Sequence, residues 1–398
     1  MLELAAELVS WRPAVQGVRC AIATVVRIEG SAPRPIGTSM VIAAGPEGSE
    51  ISILGSLSGG CIEGAVASAA LEVLEQGGAR HEKFSYSPDE AFAVGLTCGG
   101  EIEVRIQELP SHVMRNLTGP AQPIAVITLL TEDSAGHSPL PDNVVVIWSR
   151  DELLTALQSI LANDSTVVAT AKRLVEELLT RGDSGVVQLP ASDCEVDPDA
   201  PRLRLLIESS LAPPRFLIVG ANDFGAALVP VAKLLGYDVT LIDARQAFAE
   251  QERFTEADEV VVRWPHEYLS EEAAAGRVDP RTVLCVLAHD PKFDTPILDA
   301  ALRLDLAYIG AMGSHRSHRA RTASLADLGH CRQTLSRLHS PIGLDVGALT
   351  PPQVAVSIAA EIIAGDRRGR LIARLSDSSG PIHKPYGRNN DLRNTFFN

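Results

Sequence analysis

The residues of this chain best suited to chemistry are two cysteines, each set beside a Gly-Gly pair. Cys61 lies in Gly55-Ser56-Leu57-Ser58-Gly59-Gly60-Cys61-Ile62-Glu63, and Cys98 in Gly95-Leu96-Thr97-Cys98-Gly99-Gly100-Glu101-Ile102-Glu103. A thiol is both a nucleophile and a soft metal ligand. Glycine adopts backbone conformations closed to other residues and lets a ligand approach the main chain. Taken singly, each motif reads as a small buried hydrophobe next to a turn. Their recurrence points to a site that handles a soft metal, sulfur or an anionic cofactor, with Gly59, Gly60, Gly99 and Gly100 as its cradle.

A second set of candidates lies further along. Arg215 to Gly220 reads as a strand, and Gly220-Ala221-Asn222-Asp223-Phe224-Gly225 as the turn into a helix. Asp243 follows Gly220 by 23 residues, the place from which an acid binds a ribose hydroxyl in an NAD-type site. The full dinucleotide fingerprint is G-x-G-x-x-G, and here Asn222 replaces the middle glycine. The segment is therefore either a dinucleotide site or a Rossmann fold without one; the helix N-terminus favours an anion in both cases.

Three loops at strand ends add further residues. His289-Asp290-Pro291-Lys292-Phe293-Asp294 follows the strand Thr282 to Leu287, where open α/β sheets bind their ligands. His289 and Asp290 are candidates there, and Asp290 alternatively caps the next helix. Tyr308-Ile309-Gly310-Ala311-Met312-Gly313-Ser314 leads into a basic stretch. From His315 to His339 there are five arginines, four histidines and one acid, Asp327. Arginine suits bidentate phosphate binding, so Arg316 is a candidate anion contact, while Arg321 and Arg332 read as part of a solvated helix face. The loop Leu338 to Gly347, rich in glycine and proline and carrying Asp345, reads as one that shapes a pocket.

The elements that must position these residues fall into two parts. In residues 1–210, strands are predicted over Val18 to Ile28, Thr38 to Ala44, Ile51 to Gly55 and Glu101 to Leu109, with a helix over Ile62 to Gln76. Within that part, 122–207 reads either as a subdomain or as the completion of the first sheet. Thr131 to Asp142 is a surface loop. Leu211-Ala212-Pro213-Pro214 marks the boundary. Over 214–370, strands alternate with helices, which predicts a doubly wound parallel sheet of Rossmann type. The polar stretch 376–398 reads as a flexible tail. The fold class is thus α/β, with an N-terminal α/β domain and a C-terminal Rossmann-like one.

Composition excludes several classes. Net charge is −15, against the basic face that general nucleic-acid binding needs. Apolar residues make up 45% and charged residues 21%, as in ordinary globular chains. The six cysteines are scattered, without a CxxC pair. That fits a reducing compartment and fails the spacing of an iron–sulfur cluster or structural zinc site. The first residues lack a signal-peptide pattern and no uncharged run reaches membrane-spanning length, so the expected location is cytoplasmic.

Together these motifs resemble the XdhC/CoxI family of molybdenum-hydroxylase maturation factors. The resemblance rests on Gly30 to Gly37, Gly59-Gly60-Cys61-Ile62-Glu63 and Cys98-Gly99-Gly100. Further along it rests on His289 to Asp294, Tyr308-Ile309-Gly310 and Ser340 to Asp345. It implies an accessory protein that binds the molybdenum cofactor, a molybdopterin, and protects it. Such a protein supports sulfuration of the cofactor by a cysteine desulfurase and passes it to a client such as xanthine dehydrogenase or CO dehydrogenase. It implies further that Cys61 and Cys98 lie near the molybdenum or the sulfur path. Gly220, Asn222, Gly225, Asp243, Gly310, Arg316 and Asp345 would serve the nucleotide-like end, and the protein would be a homodimer. The chain is shorter than expected for a complete molybdenum hydroxylase. The competing reading is an NAD(P)-dependent oxidoreductase using Cys61, Cys98 or His289; a third is a regulatory nucleotide at the Rossmann site.

Overall fold

The computed structural model describes residues 1–30, 32–44, 51–85, 100–119, 123–130, 143–161, 165–189, 203–288, 290–365 and 375–377. Cys98, Gly99, His289, the loop Thr131 to Asp142 and the tail beyond residue 377 lie outside the described residues. The chain forms two compact units, one containing Met1–Leu211 and the other Ala212–Ile372.

The first unit carries two antiparallel sheets. One is built from β1 (Cys20–Glu29), β2 (Ser39–Ala44), β3 (Ile51–Gly55), β4 (Ala79–Phe84) and β5 (Glu101–Glu108), in the order β3-β2-β1-β5-β4. The other is built from β6 (Ala125–Leu130), β7 (Val144–Ile147), β8 (Gly185–Leu189) and β9 (Leu203–Ser209), in the order β7-β6-β9-β8. Segment 122–207 therefore supplies a sheet of its own rather than completing the first.

Side chains alternate across a strand, and the core shows what each face meets. Ala21, Ala23 and Val25 of β1 pack with Val66, Ala70 and Val73 of the helix Glu63–Gln76. On the opposite face, Ile22 packs with Val126 and Val144, and Val26 with Leu130 and Leu206. The outer face of the second sheet, through Ile127, Leu205 and Ile207, packs on the helices Leu153–Ile160 and Ser165–Arg181. The layers run helix, sheet, sheet, helices.

The layer between the sheets is partly charged. Glu103, Arg105 and Gln107 of β5 and Arg204 and Glu208 of β9 are all buried. Arg105 Nη1 lies 2.9 Å from His81 Nε2, and His81 Nδ1 lies 2.9 Å from Glu103 Oε1. A guanidinium only donates, so Nε2 accepts and Nδ1 carries the proton that His81 donates to Glu103. The His81 hydrogen bond, helped by Arg204 and opposed by burial, holds the Glu103 carboxyl down at about 2.

The second unit is a six-stranded, all-parallel sheet. Its strands are β10 (Arg215–Val219), β11 (Asp238–Ile242), β12 (Glu259–Val261), β13 (Val283–Val286), β14 (Tyr308–Ala311) and β15 (Leu338–His339). Their order is β12-β11-β10-β13-β14-β15. One face packs on the helices Asp223–Leu234 and Pro351–Ala364, the other on Pro265–Ala274, Pro291–Leu302 and His315–Asp327. The strand order reverses between β10 and β13, which sets a crevice beyond their carboxyl ends. Among the described residues no helix is long and apolar enough to cross a membrane.

Gly225 shows how tightly this crevice is built. A Cβ there would stand 2.5 Å from the carbonyl oxygen of Gly220, a backbone atom that cannot swing aside. Gly225→Ala is expected to lower the stability of the second unit by about 1–3 kcal/mol, the usual toll of overpacking. A urea titration read at Trp264 checks this, and an unchanged midpoint would contradict it.

Candidate functional site

The first candidate site is the loop that carries Cys61 into the helix Glu63–Gln76. Its organising group is the Glu63 carboxylate. Oε1 accepts from Ser56 Oγ (2.7 Å) and from the amides of Leu57 (3.1 Å), Ser58 (2.8 Å) and Gly59 (3.1 Å). Oε2 accepts from Ser58 Oγ (2.7 Å) and from the amides of Gly60 (2.9 Å) and Ile62 (3.1 Å). Successive amides converging on one anion form a nest. Burial works against the charge, but the hydrogen bonds from Ser56 and Ser58 outweigh it and hold this carboxyl well below its ordinary range.

The two glycines permit the wrap. Gly59 and Gly60 have φ of 82° and 121°, a region that favours glycine. A Cβ at either would meet no atom of the described residues within 4 Å, so among them nothing covers the outer side of the loop. Cys61 follows, half-buried, its amide donating to Ser58 Oγ at 3.0 Å. A thiol beside an exposed stretch of backbone fits the approach of a soft metal centre or a sulfur donor. From the second motif, Gly100 is buried at the start of β5. Among the described residues no three His, Cys, Asp or Glu side chains gather as a metal site. Glu63 carries no role in the reading of the sequence. Its signal lies in its spacing, an acid three residues after a Gly-Gly pair and at the start of the helix that the loop enters.

The second candidate is the crevice of the parallel sheet, which brings Gly220, Asn222, Gly225, Asp243 and Asp290 to one edge. Asn222 caps the helix Asp223–Leu234: its Oδ1 accepts from the amides of Phe224 and Gly225, both at 3.0 Å. Its Nδ2 donates to the Leu287 carbonyl at 2.9 Å. Asp243 is buried. It accepts from the Ala221 amide (2.8 Å) and from the Arg245 amide (2.9 Å), Nε (2.9 Å) and Nη2 (2.7 Å). Burial raises this carboxyl, but Arg245 and the Ala221 amide pull it below its ordinary value. Arg245 also stacks on Phe248 at 4.3 Å and lies in the field of Asp290.

These donors and acceptors are the ones a dinucleotide would use. The Phe224 and Gly225 amides already hold an oxygen, and Asp243 already holds a guanidinium and two amides. Gly220 has a structural reason of its own, since a Cβ there would stand 2.9 Å from the Ala288 nitrogen. The crevice as arranged does not fit a dinucleotide with its pyrophosphate on this helix and its ribose on Asp243. Asp290 acts as the cap of the helix Pro291–Leu302, accepting from the Lys292 amide at 3.1 Å.

The remaining candidates divide. Gly310 is a packing position: a Cβ would stand 2.5 Å from Ile342 Cδ1 and 2.6 Å from Tyr308 Cε1. Arg316 and Asp345 are exposed beyond β14 and β15. Arg332 is exposed, as a solvated face requires, but Arg321 is not. Arg321 is buried and donates to Asp294 Oδ2 (2.8 Å), the Met312 carbonyl (3.0 Å) and Ser340 Oγ (2.9 Å). The polar composition of its helix hid this, because a single inward arginine leaves no apolar stripe. At the start of β14, the Tyr308 hydroxyl (2.5 Å) donates to Glu361 Oε2, as does the Gly343 amide (2.7 Å), while His339 Nδ1 in β15 lies 3.0 Å from Oε1. This network ties the Ser340–Gly347 loop to the helix Pro351–Ala364.

Comparison with known proteins gives the same two parts. Residues 14–86 match the model described as the XdhC and CoxI family, and residues 216–362 match the XdhC Rossmann domain. A Bacillus subtilis protein, named as one of the probable subunits of xanthine dehydrogenase, is 27% identical over 88% of this chain and 94% of its own. The Escherichia coli molybdenum cofactor insertion chaperone PaoD is 24% identical over 87% of this chain and 84% of its own. A Bacillus halodurans crystal structure described as a xanthine dehydrogenase shares the fold. Its TM-score is 0.59 at 22% identity, and the match covers 94% of this chain and 98% of that one. With both domain families matched in order over more than half its length, the chain belongs to the XdhC/CoxI family.

Proposed function

We propose that this protein is a molybdenum-cofactor accessory protein that receives the cofactor, shields it, supports its sulfuration and delivers it to a molybdenum hydroxylase. The observation that carries the reading is the Cys61 loop, a thiol held beside backbone that no described residue covers on its outer side. The names of the relatives support it, one a cofactor insertion chaperone and one a probable component of xanthine dehydrogenase. Cys61, with Cys98, would hold the molybdenum end, and the bound cofactor supplies a soft metal and its sulfur ligands. Gly59 and Gly60 would serve as its backbone cradle. A xanthine dehydrogenase-type client and a cysteine desulfurase would be the partners, in the cytoplasm, with the chaperone as a homodimer. An NAD(P)-dependent oxidoreductase is the weaker reading, because the crevice already satisfies its own donors and acceptors.

Metal and pterin content tests the proposal. The protein is purified without oxygen from molybdate-fed cells, and molybdenum is measured by mass spectrometry and pterin by fluorescence after oxidation. Molybdenum and pterin in near-equal, substantial amounts are expected. Neither, even after incubation with released cofactor, would sink the proposal.

A further inference from the structure

We infer that Glu63 is the positioning residue of the Cys61 thiol, a built-in anion around which the Ser56–Ile62 loop is wound. The inference rests on the reading of Cys61 as the functional thiol. Five backbone amides and two hydroxyls point at one carboxylate. Amide dipoles aimed at a common point repel one another unless an anion sits there. Cys61 is attached by a short relay, its amide on Ser58 Oγ and that hydroxyl on Glu63 Oε2. The next residue, Ile62, donates to both Ser58 Oγ (3.2 Å) and Glu63 Oε2 (3.1 Å). Among the described residues nothing packs within 4 Å of a Cβ placed on either glycine. The path of the chain into Cys61 is thus fixed from inside the loop, by the carboxylate.

Glutamine at position 63 keeps one acceptor and turns a donor toward the other half of the nest. Either the Gly60 and Ile62 amides or the Leu57, Ser58 and Gly59 amides then face an N–H group, and the loop must open. Aspartate keeps the charge and retreats by one methylene. Alanine leaves an empty nest that a small carboxylate such as formate can enter.

The test is the rate of alkylation of Cys61 by iodoacetamide in the full chain, followed by peptide mass spectrometry across a pH series. Thermal unfolding is recorded in parallel. Glu63→Gln is expected to change the Cys61 rate by about tenfold or more, since a displacement near 1 Å at a reacting group has effects of that order. Glu63→Asp should change it less, and formate should return Glu63→Ala toward the wild-type rate. Rates within about twofold of wild type at every pH for the glutamine and alanine variants, or a loss of thermal stability alone, would overturn the inference. Where the glutamine variant does not fold, the aspartate variant and the formate response decide. Full client activation by Cys61→Ala would remove the functional reading of the thiol, yet the alkylation rates would still decide whether Glu63 positions it.

Discussion

Arg321→Met should destabilise the second unit by about 3–5 kcal/mol, the usual effect of removing one partner from a buried ion pair. The guanidinium sits on the helix His315–Asp327 and ties three other segments to it. They are Asp294 on the helix Pro291–Leu302, the Met312 carbonyl after β14 and Ser340 after β15. Methionine matches its length and apolar stem but donates nothing. Asp294, itself buried, would be left ionised without its guanidinium or forced to take up a proton. Urea denaturation read at Trp264 measures the change. Combining Arg321→Met with Asp294→Leu removes both charges and should recover part of the loss, because the larger penalty is the stranded charge rather than the missing bond. A single variant as stable as wild type, or a double variant whose losses simply add, would show that the pair is not coupled.

Cys61→Ala should leave the fold intact and reduce client activation by about 100-fold or more, the scale seen when a nucleophile or its ligand is deleted from a working unit. The side chain is half-buried at the entry to the helix Glu63–Gln76, and it packs against the core formed with Val66 and Ala70. Alanine keeps that backbone and most of that contact, so thermal unfolding should move little. What is removed is the sulfur. The assay is hydroxylase activity of an apo client reconstituted with cofactor and this protein. Wild-type activation by the alanine variant would remove the thiol from the mechanism.

How much of this could be seen in the sequence depended on what each element buries. The parallel sheet was legible because its inner strands are buried on both faces and read as apolar runs such as Phe216-Leu217-Ile218-Val219, each followed by a turn. Antiparallel β4, Ala79–Phe84, was missed, since Ala-Arg-His-Glu-Lys-Phe shows no apolar alternation. Its His81 serves the charged layer between the sheets, not an apolar core. β8 and β9 were missed as well; the second carries Arg204 and Glu208 into that same layer, where hydropathy reads them as surface. Arg321 was misjudged for a related reason, because a buried ion pair looks in sequence like two solvated charges. At the Cys61 loop the thiol and glycines stood out by type. Glu63 did not, because a carboxylate's partners here are mostly backbone amides, which every sequence has.

The self-contained nest of Glu63 bears on speed as well as shape. A loop that folds only around its visitor gives up part of the binding free energy to ordering, and it holds the visitor for as long as the loop stays closed. Here the anion that orders the loop is covalently part of the chain and stays ionised at any cellular pH. Arrival and departure of a guest at Cys61 then need no folding or unfolding of the backbone beside it. Residence time would then carry no contribution from ordering this loop, a property suited to handing something on rather than keeping it.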